Sequence, residues 1–140
     1  TAVTGAGIRM MWLADYGAFR AGEVTGIGND AWDTDQIGTL SAAFGDSTQG
    51  RGIGSLTGGA NCDNGGDATI MWGTNCGAEN AADRSIVLGY INSSKNAHSI
   101  AIGKFCTTLS AGGIAIGHSA YSQLSNSLAI GRNVRATGRQ

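Results

Sequence analysis

An all-β coil, wound from short parallel strands at fourteen residues per turn, is the fold class that this chain of 140 residues predicts. Three observations carry it. Ser99-Ile100-Ala101-Ile102-Gly103, Gly113-Ile114-Ala115-Ile116-Gly117 and Ser127-Leu128-Ala129-Ile130-Gly131 are near-copies fourteen residues apart, and a short fixed period is the signature of stacked repeats. Each copy alternates apolar, small and apolar residues, the period of a strand whose side chains point to opposite faces in turn. A glycine then follows, where the expectation is a tight turn that needs backbone angles closed to other residues.

Residues 1–40 do not show the repeat. Ile8 to Phe19 is apolar and aromatic with two short strand-like runs, and Gly22 to Asp35 is rich in glycine and acid around Trp32. This stretch reads as an N-terminal cap, because the first turn of a solenoid has no neighbour beneath it and its open apolar end needs a cover.

The repeat proper, residues 41–140, begins at Ser41-Ala42-Ala43-Phe44-Gly45 and steps to Gly59, Gly73, Gly89, Gly103, Gly117 and Gly131. Seven turns fit. All steps are fourteen residues except the one from Gly73 to Gly89, which is sixteen; the two extra residues are expected near Ala81-Ala82-Asp83-Arg84, at a loop tip that tolerates insertion. Seven residues past the marker glycine stand Gly52, Gly66, Asn80, Asn96, Ser110, Leu124 and Gly138, mostly the types expected where φ is positive. Three residues past it stand Thr48, Cys62, Cys76, Asn92, Cys106, Ala120 and Val134, a small, weakly polar column read as inward-facing on a second strand. Strands stacked about 4.8 Å apart make a rod on the order of 30 Å long. So thin a coil buries little apolar surface against its conformational entropy, which predicts association with further copies without fixing their number.

Composition sets outer bounds. The 24 glycines lack a three-residue period, which excludes collagen and favours turns. No run of eighteen apolar residues stands in the chain, and the first residues lack the basic-then-apolar pattern of a secretory signal. Both ends fall without punctuation, so the expectation is a segment of a longer polypeptide. The net charge of −1 hides an asymmetry: all ten acids lie at or before Asp83, whereas Arg84 onward holds six basic residues and no acid. If the turns stack in chain order, one end is acidic and the other basic, a field that acts on association.

The pattern Ser-Ile-Ala-Ile-Gly, with small residues three and five positions on and Gly or Asn at seven, resembles the head repeat of trimeric autotransporter adhesins. The likeness covers 41–138; it is strong from Ser85 and looser before, where Gly58 and Trp72 replace the usual aliphatic residue. The resemblance implies a left-handed parallel β-roll, three chains side by side as a homotrimer, and a role in attachment. Heads of this type also occur in phage tail fibres and other viral fibre proteins, and the stretch from Met11-Trp12 to Ile37-Gly38 looks like the lead-in seen there. The stalk and membrane anchor of the autotransporters are not in this sequence.

Several residues invite chemistry. Cys62, Cys76 and Cys106 share one column, as buried thiols, with a Cys62–Cys76 bridge or pairing between chains as the alternatives. No histidine shares the column, which speaks against zinc. Asp33-x-Asp35 with Gly38 lacks the later ligands of a calcium loop, and Asp63 and Asp67 around Gly65-Gly66 lack the nonapeptide period of calcium-binding repeats. Gly26-x-Gly28-x-x-Ala31 satisfies a dinucleotide fingerprint without a βαβ unit around it. His98 and His118 adjoin serines without an orienting acid. Asn92-Ser93-Ser94 is a glycosylation sequon, relevant in a eukaryotic secretory setting. Arg132, Arg135 and Arg139 form a basic terminus for anionic glycans or envelope phosphates, for an adjoining segment of the same fibre, or simply a solvated rim.

These residues predict a non-enzymatic segment, without cofactor or metal, of an extracellular, cell-surface or virion-borne fibre or adhesin. Its partners would be further copies of itself, neighbouring fibre segments, and a host-surface glycan or protein receptor. A structural spacer or filament subunit, stacking head to tail through oppositely charged ends, is the alternative. A hexapeptide acyltransferase coil needs about eighteen residues per turn, which fourteen does not supply. Ice binding would need a threonine ladder. Nucleic acid is not expected, because the basic residues are few and not interleaved with aromatics.

Overall fold

The computed structural model describes residues 5–25 and 30–138. Among them, sixteen strands form two sheets, and the helical content is a single 3-10 turn at Thr34–Gln36. Seven long strands, Ala42–Asp46, Leu56–Ala60, Ile70–Thr74, Ile86–Tyr90, Ile100–Lys104, Ile114–His118 and Leu128–Arg132, stack in parallel and in chain order. Seven two-residue strands, from Gln49–Gly50 to Arg135–Ala136, form the second sheet in the same order. The chain is thus a parallel β-solenoid of about seven turns with a spacing of fourteen residues.

The marker glycines align rung on rung from Gly45 through Gly131. They lie inside the long strands, which corrects the expectation of a tight turn. Gly103 shows why glycine is needed there: φ is 124°, and a Cβ would stand 2.0 Å from the carbonyl oxygen of Gly117 on the next rung. The turning is done elsewhere. Left-handed residues occur two positions after the glycine, as at Asn61 (φ 51°), Ile91 (51°) and Phe105 (58°), and five before it, as at Ala68 (51°), Arg84 (53°) and His98 (60°).

The position seven past the glycine is accordingly not a positive-φ corner. Its residues are chosen by stacking instead. A Cβ on Gly52 would meet the Gly66 carbonyl oxygen at 2.0 Å. Where a side chain is present it stitches rungs: Asn96 Nδ2 donates to the Leu109 carbonyl at 2.8 Å, and Ser110 Oγ donates to that of Gln123 at 2.9 Å.

Each long strand sends one residue inward. That file runs Ala43, Thr57, Met71, Val87, Ala101, Ala115 and Ala129, all at most 3 % exposed. Opposite it lie buried Asn64, Ser94, Thr108 and Ser122 from the short strands. The interior is narrow, so small side chains fill it. The sixteen-residue turn keeps its register on both sides, Ile70 against Ile86 and Gly77 against Ser93, and its two extra residues sit in the loop over 79–84.

The ladder extends below residue 41. Strand β1 (Gly7–Leu13) pairs antiparallel with β2 (Ala18–Val24), and β2 pairs in parallel with Ala42–Asp46, so that Gly22 joins the glycine file (φ 138°) beneath Gly45. Arg20 then occupies the inward place beneath Ala43, fully buried. Its guanidinium donates to the carbonyls of Phe19 (2.8 Å), Ser41 (3.2 Å) and Gly50 (2.9 Å) and to Ser41 Oγ (2.8 Å). Burial lowers its pKa to about 10, which leaves it a cation at neutral pH. Trp32 covers the same end, buried against Val24 and Ala31, with its indole N–H on the Thr48 carbonyl at 2.8 Å. No helix of the described residues is long and apolar enough to cross a membrane.

Candidate interaction faces

Because strand side chains alternate, the long strands also carry two outward files. One contains Ile86, Ile100 and Ile114, the other Leu88, Ile102 and Ile116, each in register with its neighbours above and below. These six are half-buried in one chain, while Ile70, Trp72, Leu128 and Ile130 are 46–60 % exposed. Such continuity exceeds the scattered apolar residues of an ordinary surface. The looser start of the repeat is compensated locally: Trp72 lies over Gly58, where a Cβ would stand 2.3 Å from the ring, and its ring stacks on Phe44 at a centroid distance of 6.3 Å.

The cysteine column lies just before the short strands, against their inner side. Cys62, Cys76 and Cys106 are free thiols, 1 %, 3 % and 0 % exposed. Each donates to the marker-glycine carbonyl of the next rung: Cys62 to Gly73 at 3.3 Å, Cys76 to Gly89 at 3.3 Å, Cys106 to Gly117 at 3.2 Å. A short donor on the column thus reaches that oxygen from inside the coil. Asn92 does the same with its amide, which donates to Gly103 at 2.8 Å. Buried to 1 % exposure in this role, Asn92 is inaccessible as a glycosylation acceptor. The thiol of Cys62 is pushed up by its hydrogen bond to Cys76 and by burial, so Cys76 is the member of that pair that ionises first.

Several carboxylates are occupied with backbone, hydroxyl or single basic partners. Asp67 Oδ1 accepts the Ile53 N–H at 2.7 Å, and Asp83 Oδ1 accepts that of Asp67 at 3.0 Å. Asp63 pairs with Arg51 at 2.7 Å. Among the described residues no three His, Cys, Asp or Glu side chains gather around a point where a metal ion would fit. His98 sits at a left-handed corner, and His118 Nδ1 lies 3.3 Å from Ser119 Oγ. Gly26, Gly28 and Arg139 lie outside the described residues.

Charge is ordered along one corner. The residue following each marker glycine runs, rung by rung, Glu23, Asp46, Ala60, Thr74, Tyr90, Lys104, His118, Arg132. Sequence reasoning had basic residues and aromatics apart, and the register brings them together. Lys104 Nζ lies 5.5 Å from the Tyr90 ring centre and 5.1 Å from that of Phe105, while Phe105 meets Tyr90 and His118 edge-on at 5.8 and 5.9 Å. Arg132 and Arg135 are exposed on the last described turn, the latter stacked over Tyr121 at 5.4 Å. Stepping the residue after each glycine by fourteen would have found this strip. No protein-family model, curated protein or solved structure matches the chain.

Proposed function

We propose that the chain is a non-enzymatic segment of a fibre or adhesin, a left-handed β-roll head of the trimeric autotransporter type, in which three copies stand side by side and present a surface for attachment outside the cell or on a virion. The observation that carries this reading is the pair of continuous aliphatic files on the outer face of the long-strand sheet. Covering them with other copies removes from water an area that a single narrow coil leaves wet. Attachment to a host-surface glycan or protein would then gain from several copies of one site acting together. Sedimentation equilibrium tests the assembly: a trimer at micromolar concentration is expected, and Ile102→Glu with Ile116→Glu should yield folded monomer. A wild-type monomer under those conditions contradicts the reading.

A second reading is a structural spacer that stacks head to tail. The corner running from Glu23 and Asp46 to Lys104 and Arg132 supports it, because opposite ends of that corner attract. Filaments that shorten as salt rises would favour it, since screening weakens contacts between exposed charges.

A further inference from the structure

We propose that the corner bearing Tyr90, Lys104, Phe105, His118 and Arg132 binds an extended acidic polysaccharide with one carboxylate per disaccharide. The proposal names the ligand within the attachment reading. The strip belongs to one chain, so its test is read separately from the state of assembly.

Register supplies the spacing. Lys104 and Arg132 stand on rungs two apart, with His118 between them. Rungs repeat at about 4.8 Å, so the two cations recur at about 10 Å, close to the length of a disaccharide in an extended chain. A polymer lying along the corner would place successive carboxylates on Lys104 and Arg132. The imidazole of His118 would face the sugar between them as a hydrogen-bond partner. Tyr90, 42 % exposed, and the Phe105 beside it offer ring faces to the apolar side of a pyranose.

Electrostatics favours the same direction. The nearest acid along the corner is Asp46, four rungs below Lys104, and no acid occurs in the sequence after Asp83. Among the described residues Lys104 pairs with no carboxylate; its ammonium rests on two rings, an exposed cation–π contact that leaves it available to a ligand carboxylate. A single-stranded nucleic acid also pairs charge with rings, but it needs a basic groove that follows a closely spaced phosphate backbone. Two cations about 10 Å apart suit a sparser charge.

Titration calorimetry with a hyaluronan decasaccharide tests this, with a neutral β-glucan of equal length and oligothymidylate as comparisons. Hyaluronan should bind at low salt and weaken as salt rises. Lys104→Gln and Arg132→Gln should each lower affinity about tenfold. Arg84→Gln, a surface cation at another corner, should leave it unchanged, and circular dichroism should match wild type in all three. The proposal is overturned if hyaluronan does not bind at low salt, if the neutral glucan binds as well, if oligothymidylate binds more tightly, or if Arg84→Gln loses as much affinity as the other two.

Discussion

The carboxamide oxygen of Asn92 accepts the backbone N–H of Cys106, fourteen residues on, at 2.8 Å. The amide of the same side chain donates to the carbonyls of Leu88 and Gly103, the latter at 2.8 Å. One buried side chain therefore joins a long strand, the following corner and the next rung. Asn92→Ala strands a buried donor and acceptor at once, and a loss of about 2–3 kcal/mol is expected in denaturant unfolding. Asn92→Cys restores the column's commonest donor but no acceptor for Cys106, so its loss should be smaller. Equal losses would show that the donor to Gly103 contributes nothing.

Gly103 and Gly131 separate two reasons for glycine. Both have a positive φ, 124° and 132°. At Gly103 a Cβ would strike the next rung's carbonyl at 2.0 Å, whereas at Gly131 its nearest neighbour is the Val134 side chain at 3.4 Å. Gly103→Ala should cost more than about 3 kcal/mol or prevent folding, and Gly131→Ala about 1–2 kcal/mol from backbone strain alone. Thermal unfolding of the two variants measures the difference.

Arg20 supports the N-terminal end through its fork of donors. Arg20→Ala removes four hydrogen bonds to Phe19, Ser41 and Gly50 and empties the inward place beneath Ala43, while the Ser41 and Gly50 carbonyls keep the N–H groups of Phe19 and Gly38. A cost of about 3 kcal/mol or more is expected. Arg20→Lys keeps the charge but not the planar geometry, so only partial recovery is expected. Full stability with lysine would assign the effect to charge. The unfolding midpoint in urea decides it.

Thiol titration reads the cysteine column directly. With every thiol buried, a bulky disulfide reagent should label none of the three in the native protein at early times and all three in denaturant. A count of one thiol in denaturant would reveal a Cys62–Cys76 bridge. The native rate should follow the opening of the coil, not the thiol pKa values.

What the sequence disclosed depended on whether a rule acts within a column. The fourteen-residue step located the rungs because every turn repeats the same inward and outward places. Gly22 escaped because 23 residues separate it from Gly45 and because its rung places an arginine where the others place a small or apolar residue. The corners escaped for a different reason: Ile91, Phe105 and Ala68 carry no chemical signature of a positive φ, and adjacent rungs impose it on them. The glycines pointed to special backbone, but to strand stacking more than to turning. Trp72 over Gly58 is a compensation between rungs, invisible when each turn is judged against an average one.

Registration of every marker glycine against the carbonyl of its neighbour has a further effect on how such a chain varies over generations. A residue gained or lost within a long strand would set a side chain against that oxygen, a loop such as 79–84 absorbs extra residues without disturbing the file, and a gain or loss of a whole turn returns glycine to glycine. Height along the axis is thereby quantised, and duplication or deletion of complete units offers a route to longer or shorter rods that leaves each surviving interface intact.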